Sequence, residues 1–163
     1  MHEAVLSQVQ AVCLLCCSYL FYALNGEDKG LYRVDLDSIH QSAKPKSKHI
    51  VTISDLSAFM VDFDNVQLYF PNNSMDTIMS CFLDGSDVKD FRPKVVARAY
   101  HGITSMAYYN RSFFWTDGQN TWGEEYDPGF SQYRHNNLLL FDPPYSGFHL
   151  YHPKAQPTPG ENR

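Results

Sequence analysis

Three groups of residues in this chain are of types that could do chemistry. Cys13, Cys16 and Cys17 crowd into "CLLCC" near the N-terminus, with Cys81 standing far off. A Cys-x-x-Cys pair can hold zinc or carry redox chemistry, but no second pair of Cys or His follows at finger-like spacing. The neighbours are apolar, so the thiols read as small core residues. A bridge to Cys81 stays open, because spacing does not set connectivity. His149 and His152 form "HLYH" in a Pro-flanked, extended segment, where residues three apart point to opposite sides and make a poor metal pair. Glu124, Glu125 and Asp127 form the acidic run "EEYD". Calcium is what such a run would bind, but the EF-hand spacing is lacking, and a solvated sheet edge is the plainer expectation. The kinase signatures Gly-x-Gly-x-x-Gly, His-Arg-Asp and Asp-Phe-Gly are missing, as is a Gly-x-Ser-x-Gly nucleophile elbow. The expectation is no catalytic residue, no metal and no cofactor.

The elements that carry these residues are strands. At 163 residues the chain is sized for one domain, with 15% aromatics, eleven Tyr and eleven Phe, a composition that favours sheets. Nine Gly and nine Pro supply turns. A formal charge of −5 removes the electrostatic case for nucleic acid. The apolar stretch Ala4–Leu24 resembles a leader or a membrane span. However, His2 and Glu3 stand where a basic flank belongs, and Gln8 and Gln10 shorten the apolar run below the ~20 residues a span requires. Strands are the expected reading there.

The strands repeat. Aromatic runs begin at Leu20, Leu68 and Phe113, 48 and 45 residues apart, near the period of a four-stranded propeller blade. Each run is preceded by an apolar stretch, "AVCLLCC", "LSAFMVDF" or "ITSMAYY". Each is followed by a turn and a further strand: Gly30–Ser38, Thr77–Ser86 and Thr121–Gly129. Fourth strands are predicted at Ser47–Ile53, Pro93–Ala99 and Asn136–Asp142. In "SFFWTD", Phe113 and Trp115 point one way while Phe114 and Thr116 point the other, so bulk on both faces predicts a sheet covered on both sides. Asp117 falls at the strand end, where a carboxylate bonds turn amides. The fold class is therefore all-β, about three four-stranded antiparallel blades.

These residues resemble the YWTD family of propellers, whose repeat is roughly Tyr-Trp-Thr-Asp, five residues, Ile-x-Arg-x-x-Leu-Asp-Gly. Phe114, Trp115, Thr116 and Asp117 match its first half; Arg33 and Asp37 match its second in "LYRVDLD"; "IMSCFLDG" carries Asp84, with Ser80 where Arg is common. Within the family, "TIMSCFLDGS", "FFWTDGQNTWGEEY" and "HLYHPKAQPTPG" are similar to the Ros/Sevenless receptor tyrosine kinases. That resemblance implies a partial six-bladed propeller over 1–153 and a Pro-rich exit linker over 154–163 leading toward a fibronectin type III domain. It further implies a place on the extracellular side of the plasma membrane, in the ligand-facing part of a single-pass receptor. Its partners would be a protein ligand and the remaining blades and fibronectin domains. ATP and magnesium would belong only to the kinase domain of a full-length parent. An LDL-receptor-like endocytic receptor is the alternative, and a propeller enzyme a distant third.

About three repeats where such propellers have six predict a fragment of a larger ectodomain, with open strand edges that make it aggregate or bind hydrophobic dyes alone. The loops Asn25–Gly30, Asn72–Asp76 and Asp117–Asn120 are the expected face loops. Asn72 and Asn110 begin Asn-x-Ser sequons.

Overall fold

A computed structural model describes residues 9–14, 19–41, 46–62, 65–92, 100, 102–110, 112–125 and 135–137. Three four-stranded antiparallel sheets follow one another along the chain. The first runs β1 (Val9–Leu14), β2 (Tyr19–Leu24), β3 (Gly30–Asp35) and β4 (Ser47–Val51), with a short helix α1 (Leu36–Gln41) between β3 and β4. The second has β5 (Met60–Asp62), β6 (Gln67–Asn72), β7 (Thr77–Phe82) and β8 (Lys89–Arg92). The third has β9 (Ser105–Tyr109), β10 (Ser112–Thr116), β11 (Thr121–Glu125) and β12 (His135–Asn137). Every strand pairs with its neighbour in sequence, so each sheet is a meander, the plan of a propeller blade. The apolar N-terminal stretch forms paired strands, with Cys13 opposite Phe21.

Several boundaries differ from the sequence reading. The third strand of the first blade ends at Asp35, and residues 36–38 turn into α1. The Asp35 carboxylate accepts the Asp37 amide at 2.9 Å, and the Ser38 hydroxyl donates to the Asp35 carbonyl at 2.6 Å. These local bonds compete with the ladder and end it. The fourth strand of the second blade is Lys89–Arg92, paired with Ile78–Ser80. The more apolar 93–99, predicted to be that strand, lies outside the described residues. The strand predicted at 136–142 is seen as His135–Asn137.

The blades stack face to face, and burial along each second strand records this. On β6, Leu68, Tyr69, Phe70 and Pro71 are all buried. Leu68 and Phe70 join Phe21, Ala23, Leu31 and Ile50 of the first blade in one core. Tyr69 points the other way, into a second core with Phe113, Trp115, Met106, Tyr100 and Ile103. The two-sided burial expected of "SFFWTD" is therefore complete on β6. On β10, Phe113 and Trp115 are buried but Phe114 is half-buried. On β2, only Phe21 and Ala23 are buried. Each fully buried aromatic contributes about 1.5–3 kcal/mol, so the two interlayer cores hold the blades together. Ring packing adds order: Tyr69 lies 4.7 Å from Phe91 and 5.3 Å from Phe113, and Tyr100 lies 5.2 Å from Trp115.

Glu124 is not on a solvated edge. It is 2% exposed, and one carboxylate oxygen accepts the Tyr100 hydroxyl at 2.5 Å. The second core thus encloses a charge-bearing group that has a hydrogen bond, the condition for burying one.

Candidate interaction face

The β2–β3, β6–β7 and β10–β11 turns occupy equivalent places in the three blades, so all three predicted face loops lie at one end of the sheets. The end of the third blade is shaped by Thr116 and Asp117. The Thr116 hydroxyl donates to the Asn120 carbonyl at 2.7 Å and accepts the Gly118 amide at 3.1 Å. One Asp117 oxygen accepts the amides of Gln119 and Asn120 at 2.8 and 2.6 Å. Its other oxygen accepts the Asn120 side-chain amide at 3.3 Å. Gly118, with φ +86°, takes the left-handed place that side chains resist. Partial burial pushes the Asp117 carboxyl up, but the hydrogen bonds from Asn120 and Gln119 outweigh it and hold the group below its usual 3.8.

A pH prediction follows with its sign. A carboxylate depressed in the folded state stabilises the fold above its unfolded value and loses that contribution as pH falls through the folded one. The chain should lose stability as pH falls below 3.8. Asp117→Asn should be less stable at neutral pH but lose less on acidification. Urea midpoints at pH 7 and pH 3 test this; a wild-type-to-variant gap equal at both pH values would remove Asp117 from the acid response.

Connectors inward to β5 and β9 complete this end. Asn73 ties them together: its amide nitrogen donates to the Asp55 carbonyl at 3.3 Å, and its oxygen accepts the Ile103 amide at 3.2 Å. The Thr104 amide donates to the Thr116 carbonyl at 2.8 Å, and the Ser57 hydroxyl donates to the Ile103 carbonyl. Asn25, Asp55, Ser57, Asn73, Gly102 and Thr104 surround an open cleft of about 350 Å³. Sequence reasoning missed the connector residues Asp55, Ser57 and Thr104: Ser57 and Thr104 sit in stretches that read only as apolar strands, and Asp55 lies just before the first of them. The tips of the three turns are exposed at Glu27, Asp28, Lys29, Met75 and Gln119. The arrangement offers polar, hydrogen-bonding loops and no reactive group.

Of the remaining motif residues, Arg33 and the Asp84 backbone join blades. Arg33 on β3 donates to the Leu83 carbonyl of the next blade at 3.1 Å, with its guanidinium 4.2 Å from the Tyr19 ring centre, a cation–π distance. Lys48 donates to the Asp84 carbonyl at 2.9 Å. Asp84 is exposed, and the hydroxyl and amide of Ser86 lower its pKa by hydrogen bonding. Ser80, pairing with Tyr69 as Arg33 pairs with Phe21, is fully buried. Among the described residues nothing hydrogen-bonds its hydroxyl. Asp37 is exposed in the first turn of α1.

Cys81 is a free, buried thiol, and burial, with Asp84 nearby, pushes its pKa up to about 11. It is an inert core residue. Cys16, Cys17, Asp127, His149, His152 and the linker 154–163 lie outside the described residues. Among the described residues, no group of acidic, Cys and His side chains could hold a metal, and no helix is long and apolar enough to cross a membrane. Asn72 ends β6, its side-chain oxygen accepting the Ser74 hydroxyl at 2.7 Å. Asn110 is exposed at φ +47° in the β9–β10 turn, at the opposite end of β10 from Asp117.

No family model matches the chain. The chicken (Gallus gallus) proto-oncogene tyrosine-protein kinase ROS is 30% identical over 148 residues, which is 86% of this chain and 6% of that protein. The mouse (Mus musculus) protein of the same name is 34% identical over 101 residues, 62% of this chain and 4% of its own length. The chain thus spans a small part of these relatives. A chain in the crystal structure of a nidogen/laminin complex matches 80% of this chain and 49% of itself, with a TM-score of 0.57 and 14% identity, a likeness of fold. Blade plan and repeat motif together make this chain a partial β-propeller of the YWTD type. It resembles the extracellular region of the ROS receptor tyrosine kinases rather than their kinase domain.

Proposed function

We propose that the chain is an extracellular protein-recognition module, part of the ligand-facing ectodomain of a ROS-like receptor tyrosine kinase, and that it binds through the end carrying Asn25–Gly30, Asn72–Asp76 and Asp117–Asn120. The observation that carries this reading is that the three turns stand at one end of the sheets with exposed tips, where the first two turns and the connectors to β5 and β9 line an open cleft. Loops held on a rigid scaffold are where binding residues concentrate. The likeness to ROS supports the receptor context, and the fold neighbour comes from a protein–protein complex.

Two measurements test the proposal. A photo-crosslinking side chain at the exposed Gln119 should capture an extracellular protein, while the same group at Asn110, at the other end, should not. Equal capture from both ends would remove the face assignment. When the chain is secreted from animal cells, Asn110 should carry a glycan, and glycosidase treatment should increase its gel mobility; an unchanged mobility would count against the extracellular setting.

A further inference from the structure

The sequon at Asn72 stands at the recognition end, whereas the one at Asn110 stands at the other. Asn72 is the last residue of β6, paired with Thr77 across the β6–β7 turn. It belongs to the middle blade, with the first and third on either side. It is half-buried, while Ser74 and Met75 just beyond it are exposed. Two adjacent asparagines divide the work of this turn. Asn73 uses both ends of its carboxamide to hold the connectors, at the Asp55 carbonyl and the Ile103 amide, and it lines the cleft. The Asn72 side chain uses only its oxygen, which accepts the Ser74 hydroxyl at 2.7 Å. Among the described residues nothing bonds its side-chain nitrogen, which is the atom that N-glycosylation modifies.

We propose that Asn72 carries an N-linked glycan and that this glycan shields the recognition end from proteins, so that occupancy of this one site sets whether the end is open. The inference rests on the extracellular recognition reading. Asn72-Asn73-Ser74 is an acceptor sequence, with no Pro at its centre. In the transfer, the Asn72 nitrogen Nδ2 attacks the anomeric carbon of a lipid-diphosphate-linked oligosaccharide. The nitrogen–carbon bond forms, the bond from that carbon to the diphosphate oxygen breaks with the electron pair leaving on the oxygen, and one Nδ2 proton goes to solvent. Only that hydrogen is replaced, so the bond to Ser74 and both Asn73 bonds survive in the folded chain. A glycan is bulky and solvated. Rooted one residue from Asn73, it occupies space over the cleft or the β6–β7 tip, where a protein would dock. A glycan at Asn110 leaves that end clear.

Secretion of the chain from animal cells, followed by glycosidase release in heavy-oxygen water, tests the site: mass spectrometry should find a labelled aspartate at position 72. Shielding is read on the same secreted chain bearing Met75→Cys, because Met75 is 57% exposed in the same turn. Its labelling by a maleimide carried on a folded protein, beyond that of the parent chain, should be several-fold slower than when Ser74→Ala removes the sequon. Ser74→Thr keeps the sequon and should stay slow. Val88→Cys, at a position 44% exposed at the other end of the second blade, should label at one rate with and without the sequon. An unmodified Asn72 overturns the proposal. So does labelling of Met75→Cys that Ser74→Ala leaves unchanged, or slowing that is equal at positions 75 and 88. Neither readout needs the partner, so a recognition end that captures no protein counts against that reading and not against the glycan.

Discussion

Trp115→Ala is expected to lower the stability of the chain by about 3–5 kcal/mol, the range for removing a large buried aromatic. Trp115 is 1% exposed, and it anchors the core between the second and third blades. Its ring meets Tyr100, which also bonds the buried Glu124. Truncation removes apolar area and leaves a cavity that stacked sheets cannot collapse without tilting. The control is Phe82→Ala, because Phe82 is 42% exposed and should change stability by under about 1 kcal/mol. Urea unfolding followed by circular dichroism, at one fixed protein concentration, measures both. Trp115→Phe provides a graded step if the alanine variant does not fold. Equal losses for Trp115→Ala and Phe82→Ala would show that the interblade core is not what holds the molecule.

Gly85→Ala is the second large effect, expected to cost more than about 2 kcal/mol, of which the left-handed backbone accounts for about 1–2. Gly85 has φ +89°, and a Cβ there would sit 2.7 Å from the Ile50 carbonyl oxygen, with the next nearest atoms also Ile50 backbone. No side chain can swing aside, so one of the two blades must shift. The same turn is held by Arg33 at the Leu83 carbonyl and by Lys48 at the Asp84 carbonyl. Gly26→Ala separates the two costs, because Gly26 has φ +100° with nothing within 4 Å. It should pay only the conformational part. If both glycine variants lose the same stability, the Leu83–Gly85 turn does not seat on the first blade as described.

These contacts explain why the repeat motif was legible as a motif but not as a mechanism. The 48- and 45-residue spacing of aromatic runs was visible because every blade must bury the same strand. Thr116 and Asp117 could be assigned to a turn because a short acceptor at a strand end bonds nearby amides. Arg33 carried no such local sign, since the carbonyl it bonds lies in another blade. Glu124 was misread for the same reason: it sits beside Glu125 in an acidic run, and its burial against Tyr100, from the connector before β9, arises only in the folded chain. The fourth strand of the second blade was misplaced because Val95 and Val96 outrank Lys89–Arg92 in strand propensity, while pairing to β7 selects the latter.

By itself the sequence determined the class of the protein. Period, aromatic runs and turn residues specify antiparallel meanders, and these are local properties, set by alternation along a strand and by backbone preference at turns. Tertiary structure alone decided which face of each strand is covered, which motif residues sew blades together, and that the first two turns and two connectors line a cleft. Those outcomes depend on residues 30 to 50 positions apart meeting across stacked sheets, as Arg33 meets Leu83 and Asn73 meets Ile103. No spacing within a single repeat encodes such a meeting.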